Sequence, residues 1–329
     1  MRGPAELVLA SSVARRYYLD GRTKIEIAAE FRLSRFRIAR LLDAARDQGL
    51  VKIEISNPGA IDVELSARLR DTFGLTNALV VEAPDEHEAS LRKQLGQAAA
   101  ELLSEIVIPK DVLGLAWSRC VSVMATELRR LPALPVVQLT GALSHSTGGS
   151  SSLDDGSSID VVREVARISG GPAYLFFAPF LVPDAATAQT LRRQPDVARA
   201  LGRIKTVTKA VVGIGHWAPA QSTLYDAAAA AERNSLARQG VCAEVGGVFL
   251  TADGRPLQTS LNDRMVAIGA AQMKAVPEVI AIAYGTSKCM AVHAAIRSGL
   301  VNSLVTHASL AHALLSQAAE PDPAPSEPR

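Results

Sequence analysis

Four arginines, Arg32, Arg35, Arg37 and Arg40, fall within the nine residues RLSRFRIAR, with no acid among them. Leu33, Ile38 and Leu41 mark an apolar stripe through the same stretch, so it reads as a helix that buries one face. A solvated helix face usually interleaves charges of both signs. An unbalanced one points to anions on a partner, and guanidinium forks suit guanine edges or phosphates.

A second set of chemistry-bearing residues sits where aliphatic runs end in small or polar residues and a helical pattern begins: GLAWSRC (114–120), LTGALSH (139–145), VGIGHW (212–217) and AYGTSKC (283–289). Ligands of open parallel sheets bind beyond the carboxyl ends of the strands, and backbone amides at such turns form anion pockets. These segments nominate Trp117, Ser118, Arg119, Thr140, Gly141, Gly215, Gly285, Thr286 and Lys288. Trp117 and Trp217 each follow a strand and are candidates to stack on a sugar ring. The chain has no GxGxxG, no Walker lysine loop, no GxSxG and no HExxH. The histidines show no ligand spacing, so neither a metal nor another cofactor is expected.

The elements that must hold these residues divide in two. Apolar periodicity gives a helix over 6–20, which Gly21 ends. Thr23 and Glu26 form a capping box for a second helix, Lys24 to Phe31. After a turn through Arg32 and Leu33, Ser34 caps a third helix to about Gln48, with Gly49 as its stop. LVKIEIS then alternates as a strand, completing the outline of a winged helix-turn-helix over 1–56. In that motif the third helix enters the major groove. Ser34, Arg35, Phe36 and Arg37 then lie nearest the base edges, with Arg40 further along. Thr23, Lys24 and the amide end of the second helix hold phosphates, and Lys52 in the wing is a lesser candidate.

Beyond the turn-rich NPGA at 57–60, a helix over 61–73 leads into alternation. Strands are expected at 78–81, 112–116, 136–140, 173–177, 210–214, 279–283 and 303–305. Helices are expected at 89–106, 119–130, 159–168, 263–275, 288–298 and 309–318, which gives an α/β fold with a parallel sheet over 57–319. A polar loop covers 144–158, a segment with its own helix is inserted at 217–239, and the Pro-rich, acidic tail 320–329 reads as disordered.

Composition agrees with this division. Residues 1–55 carry 11 Lys/Arg against 7 Asp/Glu and the rest 24 against 26, so the positive charge sits on the expected DNA-binding part. Aromatics are only 4% of 329 residues, which suits an aliphatic core of helices on a parallel sheet. Three cysteines, far apart, read as reduced thiols of a cytoplasmic protein. No signal peptide and no membrane span are expected.

On these motifs the chain resembles the SorC family of sugar-responsive bacterial transcriptional regulators. RRYYLDGRTKIEIAAEFRLSRFRIARLLDAARDQGLVKIEI is a close match to its N-terminal signature, and DRMVAIGAAQMKAVPEVIAIAYGTSKCMAVHAAIRSGLVNSLVTHASLAHALL is the most specific landmark of its effector domain. The resemblance implies an effector domain similar in fold to ribose-5-phosphate isomerase and glucosamine-6-phosphate deaminase. It also implies a sugar, sugar phosphate or polyol as effector, double-stranded operator DNA as partner, and a dimer or tetramer. The effector would be held by Trp117–Arg119, Thr140–Ala142, Arg264 and the Gly285–Lys288 turn. The chain departs from the family pattern at AWSRC, TGA, the YG before Lys288 and EVGGVFLTADG, all at the expected pocket. The competing reading is a sugar-phosphate isomerase or deaminase with an added DNA-binding domain. It needs a general-base carboxylate, for which Glu244 and Asp253 are the candidates.

Overall fold

The computed structural model describes residues 3–51, 61–83, 85–143 and 157–319, and the chain divides into two compact units between residues 58 and 59. The first unit holds three helices, α1 (Pro4–Tyr18), α2 (Lys24–Phe31) and α3 (Arg35–Asp47). Thr23 accepts the Glu26 amide, and the Glu26 carboxylate accepts the Thr23 amide at 2.8 Å, so two orphan donors of α2 are satisfied reciprocally. That backbone hydrogen bond holds the Glu26 carboxyl below its ordinary range. Arg32 takes a left-handed φ of 53° between α2 and α3, and Ser34 caps α3 by accepting the Arg37 amide at 3.2 Å. Ala10, Val13, Ile27, Ile38, Leu41, Leu42 and Ala45 close a small core. Of the expected wing strand only Leu50 and Val51 are described. Its remainder, the NPGA turn, residues 144–156 of the polar loop and the tail lie outside the described residues.

The second unit runs α4 (Val63–Phe73), β1 (Asn77–Val81), α5 (Glu88–Ile106), β2 (Leu113–Leu115), α6 (Arg119–Glu127), β3 (Val136–Gln138), α7 (Ser158–Ser169) and β4 (Ala173–Tyr174). Then come α8 (Ala185–Arg193), α9 (Pro195–Arg203), β5 (Lys209–Gly213), β6 (Gly215–His216), α10 (Thr223–Ala227), α11 (Ala230–Arg238), β7 (Val241–Val245), β8 (Val248–Thr251) and β9 (Pro256–Leu257). It closes with α12 (Ser260–Asp263), α13 (Ala270–Lys274), β10 (Glu278–Ile282), α14 (Cys289–Arg297), β11 (Ser303–His307) and α15 (Ala308–Ala319).

Among the described residues seven strands form one parallel sheet in the order β1-β11-β10-β5-β2-β3-β4. The strands are buried on both faces, and their period of two sorts the side chains. Val80, Val212, Val279, Ala281 and Leu304 face the core beneath α4, α14 and α15. Val81, Val211, Ile280, Ile282 and Val305 face the core beneath α5, α6 and α7. At the amino ends of β1, β11, β10 and β5 a polar network ties the strands together. Glu278 accepts from Asn77 (2.7 Å), Ser303 (2.8 Å) and Lys209 (2.8 Å).

Three features depart from the expected alternation. A small antiparallel sheet, β6-β7-β8-β9, stands beside the large one. The helices α8 and α9 occupy a stretch with no expected element. The helix expected over 263–275 is broken into α12 and α13, because 265–268 runs extended and pairs by backbone with two neighbours. Val266 donates to Phe180 and Ile268 to Leu139, at 2.9 and 2.8 Å. These tertiary pairings satisfy the backbone groups that a helix would have satisfied locally.

Candidate functional site

From β2 the chain steps outward through β3 and β4; it then returns to β5 on the other side of β2 and proceeds to β10 and β11. The order therefore reverses between β2 and β5, and the crevice beyond their carboxyl ends is where such a sheet binds ligands. A cavity of about 270 Å³ lies there. Trp117, Ser118, Arg119 and Cys120 line it after β2, Thr140 and Gly141 after β3, and Gly213, Ile214 and Gly215 after β5. Tyr284, Gly285, Ser287 and Lys288 line it after β10, Glu86 before α5 and Glu88 at its first residue, Gln221 and Ser222 before α10, and Glu244 from β7.

Several polar groups in the cavity have partners that fix them. Glu244 is paired in register with Gly215, where a Cβ would come within 2.4 Å of its Oε1, so only glycine leaves room for the carboxylate. Glu244 accepts from Ser222 Oγ at 3.1 Å and the Gly247 amide at 3.3 Å. Burial pushes its pKa up, against those hydrogen bonds and the charge of Lys288. Lys288 donates to the Ile214 carbonyl at 3.0 Å and lies over the Tyr284 ring, and burial pushes its pKa down. Tyr284 donates to Glu88 at 2.7 Å, which holds that carboxyl below its ordinary range. Arg119 and Arg92 also flank Glu88, at 3.7 and 3.8 Å. Ser118 caps α6 by accepting the Val121 amide. Burial pushes the Cys120 thiol up to about 12, so it is a small packed group rather than a nucleophile.

The turn that carries Lys288 begins at Gly285, whose φ of 86° lies in the region that favours glycine. Its amide donates to Nε2 of His307 at 3.0 Å, and Nδ1 of His307 faces Glu86 at 3.4 Å. Burial lowers the His307 pKa.

Of the residues expected at the effector pocket, Trp117, Ser118, Arg119, Thr140, Gly141, Gly215, Glu244, Gly285 and Lys288 come together. Three do not line the cavity. Arg264 follows α12 instead of opening a helix; its guanidinium pairs with Glu232 and donates to the Val182 carbonyl at 2.8 Å. Asp253 sits in the β8–β9 turn, bonded to Thr251 and to Arg255 at 2.6 Å. Thr286 is exposed at the start of a single 3₁₀ turn over Thr286–Lys288. Trp217 is buried against Tyr225 and Phe249, with both ring centroids at 5.1 Å, and offers no face to a ligand. Sequence reasoning missed Glu86, Glu88, Tyr284, Gln221 and Ser222. Two helix starts, DEHEAS before α5 and QSTLYD before α10, carried a local signal for four of them.

In the first unit, Ser34, Arg35, Phe36, Arg37 and Arg40 are all exposed on or beside α3, and Phe36 is 81% exposed. Thr23 and Lys24 mark the start of α2, where Lys24 lies 5.6 Å from the Tyr17 ring centroid. Arg32, Arg35, Arg37 and Arg40 form no ion pair among the described residues, whereas Arg16 is held by Asp20 and Glu30. Among the described residues no cluster of His, Cys, Asp or Glu could hold a metal ion, and no helix is long and apolar enough to cross a membrane.

Residues 59–316 match a family model described as "Putative sugar-binding domain". The chain is 28% identical over 321 residues to the transcriptional regulator LsrR of Klebsiella pneumoniae, covering 95% of this chain and 94% of the relative. It is 29% identical over 315 residues to the erythritol catabolism regulatory protein EryD of Brucella abortus, covering 94% and 96%. Its fold is similar to that of the full-length sorbitol operon regulator SorC of Klebsiella pneumoniae, with a TM-score of 0.71, 22% identity, and coverage of 95% of this chain and 100% of that one.

Proposed function

The chain belongs to the SorC family of sugar-responsive transcriptional regulators, and from that premise we infer how its two units divide the work. It is a DNA-binding regulator controlled by a carbohydrate. Ser34, Arg35, Phe36 and Arg37 at the start of α3 lie nearest the base edges, Arg40 supports them, and Thr23 and Lys24 sit against the phosphates. The effector is a sugar, sugar phosphate or polyol held in the cavity between β2 and β5. The observation that carries this reading is the convergence of nine expected residues on one cavity at the reversal of strand order, within the matched domain.

A single helix-turn-helix reads a short half-site, so the working form is a dimer or a tetramer built as a dimer of dimers, in the cytoplasm. The relatives are named as regulators. One observation gives the isomerase or deaminase reading a foothold: Glu244 and Lys288 share the cavity. Regulation remains the better account, because Glu244 is locked by Ser222 and Gly247, and Asp253 lies away from the cavity.

Fluorescence anisotropy on the promoter-proximal operator, with and without each member of a carbohydrate panel, tests the reading. At least one member changes operator affinity in the wild type. Lys288→Ala loses that response while keeping its affinity for the operator. A Lys288→Ala protein that responds with unchanged affinity places the effector elsewhere.

A further inference from the structure

The most exposed large apolar side chain among the described residues is Phe36, at 81%. It stands in the first turn of α3, between Arg35 and Arg37. Ile38, Leu41, Leu42 and Ala45 set the buried face of that helix. At about 100° per residue Phe36 lies roughly opposite that face, and Arg40 follows it one turn on. Asp43, the next exposed residue in line, is held by Arg46. Arg32, Arg35, Arg37 and Arg40 form no ion pair among the described residues, so a bare ring sits amid unmatched guanidiniums at one end of the helix.

Those cations identify what covers the ring. In a major groove, phosphates and guanine edges suit the guanidinium forks, and every base pair adds hydrogen-bonding groups. The groove offers one apolar group besides, the C5 methyl of thymine. A phenyl ring neither donates nor accepts, so it takes no part in the hydrogen-bond code. Pressed on the amine of cytosine or adenine, it strips that group of water and returns no hydrogen bond. Against a thymine methyl it removes apolar surface from water on both sides.

We propose that Phe36 is a specificity-determining residue of the DNA-reading helix and selects thymine by contact with its C5 methyl. The proposal rests on the reading of α3 as the groove helix and deepens it. Arg35 and Arg37 take guanine edges or phosphates, and Phe36 requires a T·A pair between them. The left-handed Arg32 and the Ser34 cap fix where α3 begins, and with it the position of the ring.

Duplexes selected from a random library by the full-length wild type, with and without the carbohydrate panel, supply the probes. Each thymine of the selected site is replaced singly by deoxyuridine, which lacks only the C5 methyl. Binding is read by anisotropy at low salt, where phosphate contacts keep weakened variants measurable. At one position in each half-site, loss of the methyl should weaken the wild type ~4-fold, the transfer of one methyl group out of water. Phe36→Ala should bind both duplexes alike there, and Phe36→Leu, which keeps an apolar tip, should retain part of the difference. Cytosine at that position should weaken the wild type, and 5-methylcytosine should recover affinity over cytosine. Phe36→Ala removes an exposed ring and installs a good helix former, so its circular dichroism should match the wild type. A selected site without thymine, a wild type indifferent to every deoxyuridine, or an equal loss in Phe36→Ala overturns the proposal and leaves DNA reading by α3 standing. A Phe36→Ala protein that changes its oligomeric state and keeps the methyl dependence makes the ring a contact between copies, and overturns it as well. If no sequence is enriched under any condition, the DNA-reading assignment falls together with the proposal.

Discussion

The backbone amide of Gly285 points its proton at Nε2 of His307, 3.0 Å away. Nε2 must therefore keep its lone pair, and the ring proton resides on Nδ1, toward Glu86. This bond fastens the turn that carries Lys288 to the end of β11. Protonation of the ring would set two N–H groups against each other.

A pH dependence follows from that geometry. Burial lowers the His307 pKa, and Glu86 only partly opposes it. A base whose pKa is lowered on folding contributes stability above its unfolded value, about 6.5, and loses it as pH falls through the folded value. The melting temperature should fall more steeply below about pH 6.5 in the wild type than in His307→Gln, whose amide oxygen can accept the same proton. Parallel curves for the two proteins would remove His307 from the account.

Exposed arginines without acidic partners predict the behaviour of the first unit. Arg35→Ala or Arg37→Ala should weaken operator binding by about 1–3 kcal/mol if the side chain reads a base edge. Lys24→Ala should weaken binding to all sequences alike and reduce the salt slope by about one unit. Anisotropy titrations at several salt concentrations separate the two patterns. Unchanged affinity in the Arg35/Arg37 double variant would rule out α3 as the reading helix.

Glu244 is held at a cost. Its pKa is raised on folding, chiefly by burial, so its contribution is favourable at low pH and is lost as pH rises through the folded value. Glu244→Gln keeps the shape, with its oxygen toward the Gly247 amide and its NH₂ toward Ser222. The variant should melt higher than the wild type at neutral pH, with the gain shrinking toward pH ~4, and should bind effector more weakly. Differential scanning calorimetry across pH measures this, and a variant that melts lower at neutral pH contradicts it.

At the opposite end of the sheet the sign reverses. Burial alone would raise the Glu278 carboxyl, but hydrogen bonds from Lys209, Ser303 and Asn77 hold it below its ordinary range. Its contribution is present above the unfolded value and is lost as pH falls through the folded one. Glu278→Ala leaves the half-buried Lys209 without its carboxylate and should cost up to about 3 kcal/mol in urea denaturation at neutral pH. A cost near zero would mean that water replaces the carboxylate.

Much of this molecule was legible because its signals are local. Thr23, Ser34 and Gly49 marked the ends of α2 and α3 by their own chemistry, and the aliphatic runs from Asn77 to His307 identified the seven parallel strands. What was missed depends on partners far along the chain. Residues 265–268 carry a pattern compatible with a helix, and only the backbone of Leu139 and Phe180 makes them extended. Arg264 looked like a ligand-binding cation because nothing near it in sequence names Glu232 as its partner. Trp217 follows a strand as Trp117 does, yet Tyr225 and Phe249 enclose it.

The reversal of strand order between β2 and β5 also sets a timetable. The cavity is closed by contacts between distant segments: Tyr284 meets Glu88 across 196 positions, and His307 belongs to the last strand. The core of the first unit, by contrast, lies entirely between Leu9 and Val51. On a ribosome adding about 5–20 residues per second, the helices of the first unit emerge roughly 13–50 s before β11. For that interval each nascent chain carries its first unit without a finished cavity, so only a complete chain can couple the two.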